Sequence, residues 1–286
     1  MRSEIQELWR FRELLVSMVQ RELKIRYKNS AFGFLWSLIV PLVTVVVMTL
    51  VFKFFLRNGT ENFSAYVLAA YLPYMFFQFA LLDSAQSVLG AIQLVKKIYF
   101  PREILPLSLI IGNFIHFVLA LGVFFLYLLA VWIRHPGISP FRAEMLWLPV
   151  LLAINFCLAA GIGLLCAALN TFYEDVKYFL SVILYVTFFL CPIMYFSEDV
   201  LYSKMVPEGQ RELLYTVYHL NPIAMLCTAY RKVLVAPGPI KQGTETIAPI
   251  PLDWGLLGVT AAISVAMLLF GYWTFNRLKW RFVERP

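Results

Sequence analysis

Residues able to do chemistry are sparse in this sequence and stand far apart. The histidines, His116, His135 and His219, are scattered, and Cys157, Cys166, Cys191 and Cys227 contain no C-x-x-C pair. Most of these cysteines sit in apolar runs and read as packing residues, not as a disulfide or metal framework. No G-x-x-x-x-G-K-[ST] loop is present to cradle a nucleotide's phosphates. Nor is there an H-E-x-x-H, G-x-S-x-G or paired-aspartate metal motif. The sequence therefore offers no catalytic residues, no metal site and no sign of hydrolysing ATP by itself. Two ionisable side chains fall inside apolar segments, His116 (near Asn113) and Asp83. Such groups are functional candidates by default in a membrane. A plain role is available to each: a helix-to-helix hydrogen bond for His116, and contact with water from the end of its segment for Asp83.

The elements that would carry these residues are apolar. Of 286 residues, 61% are hydrophobic and 14% charged, where a soluble domain carries about 25% charged residues. Apolar runs stand out at 34–56, 62–87, 104–133, 146–170, 178–196 and 253–276. Each is near or above the ~20 residues that a helix needs to cross a bilayer, and none alternates as a strand would. The expected fold is all-α and membrane-integral: six transmembrane helices with an N-terminal amphipathic interface helix and short outer-side helices before the last span. The whole chain, 1–286, reads as one domain.

Cations orient it. Arg2, Arg10, Arg12, Arg21, Lys24, Arg26 and Lys28 precede the first span. Lys96, Lys97 and Arg102 follow the second, and Arg277, Lys279, Arg281 and Arg285 follow the last. The other side offers only Arg57, Arg134 and Arg142 in short loops, with Lys53 at a helix end. The positive-inside rule places both termini in the cytoplasm. On a helical wheel of the first 29 residues, Arg10, Glu13, Ser17, Gln20, Arg21, Lys24 and Lys28 share one face. Leu8, Phe11, Leu14, Leu15, Met18 and Val19 lie on the other. Such a helix is expected in the headgroup layer, apolar side down, either as a plain anchor or as a docking surface for a partner. The long loop 197–252 holds Asn221-Pro222 and then an apolar helix, about 223–235, too short to span and suited to an interfacial or re-entrant place. Ala159, Gly163 and Ala167 place small residues along one face of the fourth span, which permits close packing.

Three stretches carry a family resemblance. From Arg21 the chain reads R-E-L-K-I-R-Y-K-N-S-A-F-G-F-L-W-S-L-I-V-P-L. This resembles the signature of the ABC transporter type-2 permeases that export polysaccharides, with Arg21, Lys24, Arg26, Tyr27, Ser30, Gly33, Trp36, Pro41 and Leu42 at its positions. K-K-I-Y-F-P-R-E-I-L-P, from Lys96 to Pro106, is similar to that family's first cytoplasmic loop. F-Y-E-D-V, from Phe172 to Val176, is similar to its loop between the fourth and fifth spans. The family often has Arg-Asp there and this chain has Glu174-Asp175, so an arginine's ion pair is not available at the first position. O-antigen exporters are the most similar in pattern, and teichoic acid and capsule exporters share much of it.

The resemblance implies a mechanism. Two copies of the chain would pair as a homodimer above two copies of a separate ABC ATPase, which would bind ATP and Mg; this chain would need no cofactor of its own. Lys96, Lys97, Tyr99, Pro101, Arg102, Glu174 and Asp175 would contact the ATPase. The first and fifth spans would line the path, with Trp36, Tyr185, Phe188, Phe189 and Tyr195 facing the glycan. The substrate would be a glycan on a polyprenyl diphosphate. Arg21, Lys24, Arg26 and Lys28 would bind either that diphosphate or anionic headgroups of membrane lipid. No nucleic acid partner is expected. An ion-coupled secondary transporter and a membrane enzyme acting on a polyprenyl-linked substrate are the rivals. The first lacks buried carboxylates and repeated halves. The second lacks a cluster of catalytic acids.

Overall fold

Backbone in an apolar solvent has to satisfy its own polar groups, and a helix does so within one segment. Each long apolar run beyond residue 62 is helical through most of its length. The computed structural model describes residues 2–27, 39, 42–43, 46–47, 50–51, 63–134, 142–202, 206–236, 238, 240–242 and 245–283. Helices α1 (Arg2–Arg10) and α2 (Arg12–Tyr27) precede the bundle. Next come α3 (Phe63–Gly90), the short α4 (Ile92–Lys97) and α5 (Ile104–Arg134). A 3-10 turn, Ala143–Trp147, leads into α6 (Leu148–Phe172), and α7 (Val176–Leu190) follows. After α7 come α8 (Ser197–Leu201), α9 (Glu208–His219) and α10 (Pro222–Leu234). An antiparallel ribbon, β1 (Ile240–Gln242) against β2 (Glu245–Ile247), pairs Ile240 with Ile247. The chain then forms α11 (Trp254–Leu278) and a 3-10 turn, Lys279–Val283.

Among the described residues, four helical segments are long and apolar enough to cross a membrane: Phe63–Gly90, Ile104–Ile133, Ala143–Phe172 and Trp254–Phe282. The expected first span lies largely outside the described residues. The expected fifth is shorter than its apolar run. α7 has 15 residues, about 22 Å at 1.5 Å per residue, against about 30 Å of hydrocarbon. Pro192 is the reason. Cys191 before it is extended, at φ −86°, ψ 148°, as a residue preceding proline prefers, so 191–196 leaves the helix.

Burial sorts the spans. In the most apolar windows of α3 and α6, 72% and 61% of residues are buried within the protein, against 22% in α5 and in α11. α3 and α6 are therefore the inner helices, and α5 and α11 the outer ones. α3 packs on α5 through Phe76, whose ring stacks on Phe117 at 5.3 Å and meets Phe114 edge-on at 5.4 Å. Its internal Pro73 is tolerated, and the Asn155 amide of α6 donates to the Pro73 carbonyl at 3.3 Å. That bond ties α6 to α3.

Small residues set the inner distances. Ala159, Gly163 and Ala167 are all buried, and a Cβ at Gly163 would come within 2.7 Å of the Ser84 hydroxyl on α3. The tightest approach lies on another face: Gly161 of α6 meets Gly271 of α11 backbone to backbone, and a Cβ on either would overlap the other helix. Gly161→Ala should therefore cost about 1–3 kcal/mol, the usual effect of overpacking. Gly258→Ala, on the same α11 but with open space around it, should be neutral or stabilising. Thermal unfolding of the purified variants measures the contrast.

The N-terminal helices take a different seat from the one expected. Phe11 interrupts the helical run, but its amide still bonds to the Glu7 carbonyl and its carbonyl accepts from Leu15, both at 3.1 Å. Leu8, Phe11, Leu14, Leu15 and Met18 pack on Val95, Phe100, Ile104 and Leu105. The apolar face is thus covered by the 92–105 segment of the protein, not left for lipid, while Arg10, Glu13, Ser17, Gln20, Arg21 and Lys24 are exposed.

α10 is a buried short helix. Asn221 caps it by accepting from the Ile223 amide at 3.2 Å, and Pro222 occupies the first turn, where its missing N–H costs nothing. Its Tyr230 ring meets Phe117 of α5 edge-on at 5.8 Å, and the Cys227 thiol donates to the Ala70 carbonyl of α3. At the same end, Trp147 and Trp254 sit 4.8 Å apart at the starts of α6 and α11, a place that interfacial tryptophans favour.

Candidate functional site: the coupling end and the α7 face

Glu4 of α1 and Lys279 after α11 come within 4.0 Å, so the described chain begins and ends at one end of the bundle. The loop between α4 and α5 and the turn between α6 and α7 lie at that end too. Phe172, at the end of α6, packs on Phe282 at 5.8 Å, and Phe282 on Phe275 at 5.4 Å. The 92–103 loop divides into two halves. Lys96, Lys97 and Tyr99 are exposed, and the Tyr99 hydroxyl donates to the Glu7 carboxylate at 2.9 Å. That bond raises the Tyr99 pKa.

Pro101 is buried, and the Arg102 guanidinium donates to the Lys279 carbonyl. Burial lowers the Arg102 pKa, with Glu103 and Tyr99 acting the other way. Beside it, fully buried Glu103 accepts from the Lys279 ammonium at 3.1 Å. The loop is therefore anchored from within, and its exposed apex is basic and aromatic.

Glu174 and Asp175 are exposed on the second turn. Asn170 holds that turn to the bundle: its amide donates to the Ala85 carbonyl at 2.9 Å, and its oxygen accepts from the Lys177 amide at 3.0 Å. One end of the molecule thus carries all the coupling residues expected from the sequence, with Arg102 and Pro101 turned inward and the rest outward.

Of the cations expected at a diphosphate or headgroup, Arg21 and Lys24 are exposed on α2, and Arg21 pairs with the adjacent Glu22 at 2.9 Å. Lys28 and Trp36 lie outside the described residues, as does the side chain of Arg26. Of the expected path aromatics, Tyr185 and Phe189 share the exposed face of α7 and contact each other edge-on at 5.2 Å. Only Leu180 and Leu184 of α7 are buried. Phe188 turns into the bundle against Tyr71 and Tyr74 at 6.1 and 5.5 Å. Tyr195 lies beyond the helix, its hydroxyl bonded to the Leu190 carbonyl at 2.8 Å and to the Tyr218 hydroxyl at 2.9 Å.

Sequence reasoning missed a group at the opposite end. Arg231, buried in α10, donates to the carbonyls of Tyr66 (3.2 Å), Tyr195 (2.8 Å) and Ile193 (2.8 Å). Next to it buried Glu198 and half-buried Lys232 form a pair at 3.3 Å. Burial pushes the Glu198 pKa up. Lys232 and the hydrogen bonds from Ser197 and the Ile250 amide outweigh that and leave it below the ordinary value. Burial lowers Lys232. A cavity of about 390 Å3 opens here, lined among others by Tyr66, Arg142, Glu198, Arg231 and Trp254. The available signal was a cation within an apolar helix candidate, T-A-Y-R-K-V-L. Glu103 was likewise present in the K-K-I-Y-F-P-R-E-I-L-P stretch, and Lys279 entered only as an orientation charge. Among the described residues no group of His, Cys, Asp and Glu is placed to hold a metal ion.

Known proteins are similar in sequence to this chain along most of its length. The O-antigen export system permease protein RfbA of Klebsiella pneumoniae is 27% identical over 273 residues, covering 95% of this chain and 94% of its own. Its namesake in Myxococcus xanthus is 30% identical over 229 residues, covering 80% and 83%. The polysialic acid transport protein KpsM of Escherichia coli is 23% identical over 79% of this chain and 82% of its own. The family described as ABC-2 type transporter matches residues 13–235, and the chain belongs to that family.

Proposed function

We propose that this chain is the membrane-spanning permease of an ABC exporter that moves lipid-linked polysaccharide of the O-antigen type out of the cytoplasm. As a family member it is a transport subunit whose ATPase is a separate subunit. The observation that carries the substrate class is the similarity to O-antigen export permeases across 95% of the chain. The geometry supports it with an apolar bundle and one end that presents an exposed basic and aromatic loop.

In this reading the terminal end faces the cytoplasm, and two ATPase subunits with their ATP and Mg dock there. Lys96, Lys97, Tyr99, Glu174 and Asp175 make the contacts, while Pro101 and Arg102 shape the loop behind them. Two copies of the chain pair along the exposed face of α7 and the first span, and Tyr185 and Phe189 meet the glycan between them. Sugars stack on aromatic faces without needing a particular residue order, which suits a polymer path. Arg21 and Lys24 meet the diphosphate of a polyprenyl carrier at the cytoplasmic interface, and the α8–α10 segment shapes the exit.

The test is co-purification in lipid with a co-expressed ABC ATPase of the polysaccharide-export class. A stable complex that hydrolyses ATP, and that is lost on Lys96→Glu with Lys97→Glu, is the expected result. A chain that purifies alone and never recruits an ATPase sinks the proposal.

A further inference from the structure

Four buried polar atoms at the terminal end have no hydrogen-bond partner among the described residues: Glu103 Oε2, the Tyr272 hydroxyl, and both atoms of the Asn276 amide. Native proteins leave few such atoms, and these are neighbours. Tyr272 and Asn276 stand one turn apart on α11 and share a face with Lys279. The Tyr272 hydroxyl lies beside the Asn276 amide, short of bonding geometry with it. The set is chemically complementary. Glu103 has one oxygen held by Lys279 at 3.1 Å and one oxygen free, and α11 offers two unused donors within about two turns of Lys279. Glu103 belongs to the loop whose apex is exposed, and the other residues belong to the last span.

We propose that Glu103, Tyr272 and Asn276 form a two-position latch between that loop and α11. In the first position Lys279 alone holds Glu103. In the second, reached when the loop shifts against α11, Glu103 Oε2 accepts from the Tyr272 hydroxyl and the Asn276 amide. The latch rests on the exporter reading, which supplies the force on the loop. These are positioning residues; none touches substrate. Two packings with different hydrogen-bond sets are what a ligand-biased equilibrium requires.

The test uses the full chain with its co-expressed ATPase in proteoliposomes, and the variant pair Tyr272→Phe with Asn276→Leu. Removing unpartnered buried polar atoms does not harm the resting fold. The expected result is a Tm equal to or above wild type, an unchanged KM for ATP, and a fall on the order of tenfold in kcat for ATP hydrolysis. Wild-type turnover in the variant overturns the latch. So does a lowered Tm, which would mean that the groups are already bonded at rest. If the wild-type chain recruits no ATPase at all, the exporter reading fails and the latch falls with it. A wild-type complex that works beside a variant that works equally well removes the latch alone.

Discussion

Arg231→Met is expected to cost about 3–5 kcal/mol and to loosen the end of the bundle opposite the termini. Methionine keeps most of the apolar stem in place, so cavity formation is the minor effect. The major one is the loss of donors to the carbonyls of Tyr66, Ile193 and Tyr195. Each buried acceptor left without a partner costs about 1–3 kcal/mol. The carbonyls of Ile193 and Tyr195 belong to the irregular 191–196 stretch, where the backbone has left the helix and cannot satisfy itself, and that of Tyr66 belongs to the first turn of α3. The guanidinium also lies over the rings of Tyr66 and Phe196, at 5.9 and 5.4 Å. Arg231→Lys should recover less than half of the loss, because one ammonium cannot match a fork that reaches three carbonyls. Hydrogen exchange over 191–236, together with Tm, measures the effect; protection equal to wild type in Arg231→Met would refute it.

Lys279→Met is expected to be nearly as damaging, for a different reason. Lys279 and Glu103 are both buried, and removing the cation leaves a carboxylate without its counter-charge, which costs about 3–5 kcal/mol. Glu4, at 4.0 Å from the ammonium, would lose that contact too. The double variant Glu103→Gln with Lys279→Met removes the stranded charge and should regain most of the stability, a coupling well above the ~0.5 kcal/mol scatter of independent sites. A double variant no more stable than Lys279→Met would show that the pair does not act as a unit. The Tm of each purified protein decides.

How far the sequence reaches differs from element to element. Hydropathy placed α3, α5, α6 and α11 within a few residues, because a bilayer acts on each segment separately and a long apolar run has few other solutions. The short helix after Asn221-Pro222 was legible from its cap and its length, and the structure begins it at Pro222. The fifth span was overextended. Apolar composition continues past Leu190, but Pro192 breaks the backbone, so hydropathy and helix geometry disagree there.

The N-terminal face of Leu8, Phe11, Leu14, Leu15 and Met18 was legible as apolar, but what covers it was not. Lipid and a protein groove are equally good solvents for leucine, and only the placement of Val95, Phe100 and Ile104 decides between them. The K-K-I-Y-F-P-R-E-I-L-P stretch was visible as a string, but not its division into an exposed Lys96–Tyr99 half and an inward Pro101–Glu103 half. That division depends on Lys279, 176 residues away from Glu103.

By itself, then, the sequence determined the solvent, the apolar helices, the clustering of cations at the termini and the absence of a nucleotide-binding motif. Each of these is a property of composition or short spacing. Only the tertiary structure decided which helices lie inside, that Gly161 meets Gly271, that Arg231 ties three carbonyls together, and that Glu103 faces Lys279. These depend on close packing and on pairing of buried polar groups between segments far apart in the chain, and a local pattern carries no record of its distant partner.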